Sequence, residues 1–112
     1  MFTCNFQIYR GTLATARVIY AENNIPINLT GWQAKAIIKN TAMNVAYSLS
    51  TYEGTIALGS AGEIQLTLDP HATELMLPGS YSWDIILKNP QGDILPPLIS
   101  GIVTVLQGNT TW

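Results

Sequence analysis

The residues able to do chemistry are few and lie far apart in the chain. Seven acids, Glu22, Glu53, Glu63, Asp69, Glu74, Asp84 and Asp93, are scattered over 112 residues. Most fall at turns or strand ends, where solvated carboxylates and caps belong. No two sit at a spacing that forces a pair together for acid–base work. Cys4 is the only cysteine and His71 the only histidine. A thiol nucleophile needs a base beside it. One His and one Cys do not complete a zinc site of known type. No nucleophile elbow or phosphate-binding loop is present. The sequence therefore predicts a non-enzyme with no cofactor and no metal. A single cysteine also excludes an intrachain disulfide, so this is not a disulfide-built secreted module.

Aromatic residues offer a different chemistry. Tyr9, Tyr20, Tyr47, Tyr52, Trp32 and Trp112 raise the question of a platform on which sugar rings stack. Trp32, Tyr81 and Trp83 have core roles in the fold read below. Tyr47, Tyr52 and Trp112 remain as candidates for a carbohydrate- or host-surface-binding module.

Composition narrows the partners. The net charge is −2 and the pI about 5.0, so there is no basic footprint for nucleic acid. Charged residues are 11% of the chain, against about 25% in an average soluble domain. Either the surface is rich in neutral polar groups, or another subunit covers part of it. The uncharged segment 94–112 contains Pro96 and Pro97, and its core Ile99–Leu106 is strand length, too short to span a bilayer. Residues 1–6 lack a basic region and a long apolar run, so no signal peptide is expected.

These residues must be positioned by strands. Residues 1–112 read as a single domain. Phe2, Cys4, Phe6 and Ile8 alternate with polar residues in a first strand. Gly11 marks a kink where the strand can change sheets. A second strand covers about 13–20, and a third runs from Trp32 through Ala34, Ala36 and Ile38. Val45–Ser50 gives a fourth and Glu63–Leu68 a fifth, with a loop that leaves room for an edge strand between them. Asp69-Pro70 is an N-cap followed by proline at the first helical position, so a short helical turn precedes the sixth strand.

Residues 77–84, Leu-Pro-Gly-Ser-Tyr-Ser-Trp-Asp, form a corner followed at once by that sixth strand. Pro78 and Gly79 stop one element and turn the chain. Tyr81, Trp83, Ile85 and Leu87 then recur at period two. Gly-x-Tyr-x-Trp has the spacing of a tyrosine corner, with Trp83 where an antibody domain has its second cysteine. Residues 89–92, Asn-Pro-Gln-Gly, fit a type I turn. Asp93–Leu95 restarts a strand, and the last strand runs about 98–106. The pattern predicts an all-β, immunoglobulin-like sandwich of about seven antiparallel strands.

In such a sandwich the third, sixth and seventh strands lie side by side. If Ala36, Ile38, Trp83, Ile85, Val103 and Val105 face the core, then Ile37, Ile86, Ile102 and Leu106 face outward. A solvated sheet face should be polar there. These four residues are the candidate interface, predicting burial by another subunit and self-association.

Several blocks also resemble a known group. They are residues 9–13 (Tyr-Arg-Gly-Thr-Leu), 25–31 (Ile-Pro-Ile-Asn-Leu-Thr-Gly), 62–68 (Gly-Glu-Ile-Gln-Leu-Thr-Leu), 73–84 and 100–105. Together they resemble the small immunoglobulin-like proteins and domains of tailed-phage virions. Arg10-Gly11-Thr12 lacks the acid of that group's Arg-Gly-Asp-Thr-like start. The resemblance implies a structural component of the tail, baseplate or fibre adaptor, or a capsid cement protein. Its partners would be other virion proteins and itself, and its location the virion, after synthesis in the host cytoplasm.

Overall fold

The structure, a computed structural model, describes residues 2–97 and 99–108. The elements in chain order are β1 (Phe2–Thr3), β2 (Phe6–Tyr9), β3 (Ala14–Ile19), β4 (Ala21–Glu22) and β5 (Ile25–Pro26). Next come β6 (Gln33–Lys39), β7 (Val45–Ser50), β8 (Ile56–Leu58), β9 (Glu63–Leu68) and α1 (Pro70–Glu74). The last are β10 (Gly79–Lys88) and β11 (Ile99–Leu106). The larger sheet has the order β1-β11-β10-β6-β7, with β2 also on β11. A second sheet has the order β3-β9-β8, and β4-β5 form a small hairpin. With β6, β10 and β11 side by side and β7 added beyond β6, this is an immunoglobulin-like sandwich.

The strand count and pairing depart from the sequence expectation. Among the described residues there are eleven strands rather than about seven, because β1, β4 and β5 have only two residues and β8 three. The sandwich is also not wholly antiparallel. Both β1 and β2 run parallel to β11. The N-terminal strand breaks at Cys4 and Asn5 for an identifiable reason. Cys4 N–H donates to the Ser100 carbonyl at 2.8 Å. The Cys4 carbonyl turns to accept from the Trp83 indole at 2.8 Å. Asn5 Oδ1 accepts from Ile102 N–H at 2.9 Å. Gly101 makes room, since a Cβ there would collide with the Cys4 carbonyl oxygen. The chain crosses to the second sheet in the turn holding Gly11, where Thr12 N–H closes on the Tyr9 carbonyl.

Alternation places the core. Trp83, Ile85 and Leu87 of β10 meet Ile38 and Ala36 of β6 and Val103 and Val105 of β11. Ile64, Leu66 and Leu68 of β9 close it from the opposite sheet. Burying each large side chain is worth about 1.5–3 kcal/mol. Trp32, just before β6, is half-buried and packs on this core. Phe6 meets Trp83 edge-to-face, with centroids 5.4 Å apart and planes at 71°.

The short helix starts where the sequence supplies a cap. Asp69 Oδ1 accepts from Ala72 N–H at 2.7 Å, with Pro70 in the first turn. Fully buried Thr73 donates its hydroxyl to the Thr12 carbonyl at 2.7 Å, tying the helix to the first turn. The Tyr81 hydroxyl then donates to the Leu77 carbonyl at 2.7 Å, four residues back, which is the tyrosine-corner bond. Gly92 N–H returns to the Asn89 carbonyl at 3.0 Å in the turn after β10. Beyond it, residues 93–95 make an isolated bridge from Ile94 to Lys88 rather than a strand. Leu98 and Trp112 lie outside the described residues. Among the described residues no helix is long and apolar enough to cross a membrane.

Two substitutions test this framework. Tyr81→Phe removes one hydrogen bond and should lower stability in urea unfolding by about 1 kcal/mol; an unchanged midpoint would contradict the corner. Gly101→Ala should cost about 1–3 kcal/mol by pushing the Cys4 carbonyl away from Trp83. A fully wild-type melting curve would show that the contact is not needed.

Candidate protein-contact face

The outward side of the larger sheet collects the residues of interest. On β6, Gln33, Lys35, Ile37 and Lys39 alternate with buried Ala34, Ala36 and Ile38. The ladders then fix the rows. Ile37 stands beside Asp84, which stands beside Ser100. Lys39 stands beside Ser82, which stands beside Ile102. Lys35 stands beside Ile86. The three isoleucines are therefore staggered, with Ile86 diagonal to Ile37.

Side-chain size shapes this surface. Ser82, Ser100 and Gly101 are small, so they floor a shallow groove of about 500 Å³. Ile37 and Met43 line it on one side and Ile102 on the other. Ile102 is 51% exposed and Met43 64%. Ile37 is half-buried, and Met43 of the 40–44 loop borders the same groove. Met43 takes positive φ (63°), and Asn40 Oδ1 accepts from Ala42 and Asn44 N–H groups to hold the loop. Ile86 lines a separate depression of about 250 Å³ with Lys35, Lys88, Tyr52 and Ile94. Of the four residues singled out from sequence, Ile37 and Ile102 thus share one groove and Ile86 lies in the next. Leu106 stands apart, beside Tyr9 at the far end of β11.

Charge was the signal that periodicity alone did not bring out. Lys35, Lys39 and Lys88 are the only lysines in the chain, and all three occupy this one face. Asp84 is the acid among them. Met43, Tyr52 and Ile94 were also not singled out as its borders, because loop positions carry no strand period.

The aromatic candidates do not converge. Tyr47 pairs with buried Ile38 and packs against the core at the edge of the sheet. Tyr52 is 98% exposed in the following turn. Burial raises the pKa of the Tyr47 phenol, and the Asp69 and Glu53 carboxylates add to the shift. Tyr20 behaves likewise, through burial first, then its 2.8 Å hydrogen bond to Glu22 and that carboxylate's charge. His71 is exposed and Cys4 half-buried. Among the described residues no three His, Cys, Asp or Glu side chains group as metal ligands would.

A raised tyrosine pKa means the folded state holds its proton more tightly than the unfolded state. Stability is then complete below pH 10 and falls as pH rises above 10. Urea midpoints measured from pH 9 to 11.5 should fall for the wild type and fall less for Tyr20→Phe. Parallel curves would contradict the raised Tyr20 pKa.

No protein-family model matches the chain, and no curated protein matches it. Similar solved structures include the fibronectin(III)-like modules of Clostridium thermocellum CbhA. They share 11% identity at a TM-score of 0.49, over 94% of this chain and 90% of that one. The extracellular domains of the voltage-gated sodium channel β4 subunit, solved as parallel homodimers, share 12% at 0.47, over 95% and 92%. Murine CRIg shares 10% at 0.43, over 94% and 92%. Likeness at this level carries no functional information, and the fold assignment rests on the sheet order above.

Proposed function

We propose that the chain is a non-enzymatic structural module that works by protein–protein contact through the outer face of its larger sheet. Its setting, on the sequence resemblance, is the virion of a tailed phage, in the tail, baseplate or fibre-adaptor region. The observation that carries the reading is the joint placement of Ile37, Ile86 and Ile102 with all three lysines on one sheet face. Lys35, Lys39, Lys88 and Asp84 give that face a charge of +2. The whole chain carries −2, so the remainder carries −4. An interface with an apolar centre and a charged rim gains desolvation energy at the centre and orientation at the rim. The fitting partner presents an apolar patch bordered by acids.

Ile102 is the best probe, because its exposure makes a substitution harmless to folding. Ile102→Asp and Ile86→Asp should each weaken partner capture about tenfold or more, which is about 1.4 kcal/mol. Raising the salt should weaken the wild-type complex, since rim charges are screened. Capture of virion proteins from disrupted particles, with circular dichroism to verify folding, reads both effects. Unchanged capture by both variants would overturn the proposal.

A further inference from the structure

The second sheet carries an unoccupied strand position. β3 pairs with β9 through six consecutive residues without a register shift, and among the described residues it has no partner strand on its other side. The phase of that ladder is set by Tyr20, whose N–H donates to the Gly62 carbonyl at 2.8 Å. Alternation then turns the backbone groups of Ala14, Ala16 and Val18 toward β9. Those of Thr15, Arg17 and Ile19 point out from the sheet. The uncovered edge also leaves the core incompletely closed. Ala14, Ala16 and Val18 face inward yet remain half-exposed, while Ile64, Leu66 and Leu68 beside them on β9 are fully buried.

The other edges carry devices that discourage strand addition. The β1–β2 edge is broken at Cys4 and Asn5. β7 has a bulge, where Ile38 pairs with Tyr47 but Lys39 pairs with Val45. β8 is three residues long, and β5 contains Pro26. β3 has no Pro, no Lys and no bulge, and its one charge, Arg17, leans toward Glu63 of its own sheet at 3.9 Å.

We infer that the free edge of β3 is a strand-addition site filled by β3 of a second copy of this chain. The edge is self-complementary. Antiparallel pairing about a two-fold axis at Ala16 sets Thr15 opposite the partner's Arg17, so the two arginines do not oppose each other. Ala16 meets its own copy at the axis, in the closer, non-hydrogen-bonded kind of pair, where a methyl group fits. Exposed Ile19 comes opposite exposed Leu13. The two-fold closes the contact, giving a continuous six-stranded sheet and a finite dimer. This site is separate from the outer face of the larger sheet.

The test uses the full chain. Light scattering should give about twice the 12.2 kDa chain mass, and Ile102→Asp should not alter it. Arg17→Pro removes one outward N–H and leaves the β9 ladder intact, so it should yield a folded monomer. In a Cys4→Ser background, Ala16→Cys should form a disulfide dimer on mild oxidation. The reaction should run about tenfold or more faster than for Gln65→Cys, since pairing holds the two thiols together. A monomeric wild type would overturn the inference, as would cross-linking of Ala16→Cys no faster than of Gln65→Cys. The cross-link decides the matter if Arg17→Pro fails to fold.

Discussion

The bond from the Trp83 indole to the Cys4 carbonyl organises the molecule. Trp83 lies midway along β10, the central strand of the larger sheet, paired with β11 and β6. Its ring is 3% exposed, so an unmet N–H would cost about 1–3 kcal/mol. The Cys4 carbonyl meets it only if the N-terminal strand lies along β11. That placement makes β1 and β2 parallel to the last strand, breaks them at Cys4 and Asn5, and requires glycine at position 101. It also takes the N-terminal strand away from β3. One satisfied indole thus accounts for both the parallel pairing and the open edge of the second sheet.

The same central strand supports the two surfaces that face outward. Its inward residues, Trp83, Ile85 and Leu87, are large and fix the sheet against β9. Its outward residues include Ser82 and Asp84, which are short and leave a groove between the isoleucines of the neighbouring strands. A rigid sheet with a grooved, lysine-bearing face suits a module that works by docking, because binding then orders little that is not already ordered. The chain's low charge content follows the same logic. Three of its five cations are concentrated where a partner is proposed, and the rest of the chain, Arg10 and Arg17 against six acids, is net acidic.

Much of this was legible in the sequence. The Gly-x-Tyr-x-Trp spacing located the corner, and the Tyr81–Leu77 bond gives it physical form. Strict alternation in residues 32–39, 63–68 and 81–88 located the core strands, since period two is decisive where one face is buried. The Asp69-Pro70 pair marked the helix start through its cap chemistry. Other features left no local trace. Nothing near Cys4 states that its carbonyl serves a tryptophan 79 positions away. Parallel pairing of the N-terminal strand follows from that long-range bond, not from periodicity. The isoleucines of the outer face were readable one strand at a time, whereas their stagger and the company of all three lysines depend on register across β6, β10 and β11. Register is a tertiary property, fixed here by how Trp83 and its neighbours fill the core.

The central proposal is that this face is buried against a neighbouring protein, in the proposed setting a component of a virion. Cross-linking mass spectrometry with an amine-reactive reagent on virions purified from a host that produces the chain tests it most directly. The account predicts the chain at a fixed copy number relative to the other tail proteins, with cross-links from Lys35, Lys39 or Lys88 to acid-bordered segments of a neighbour. Absence of the chain from purified particles would contradict the account, and so would uniform lysine reactivity with no intermolecular cross-links.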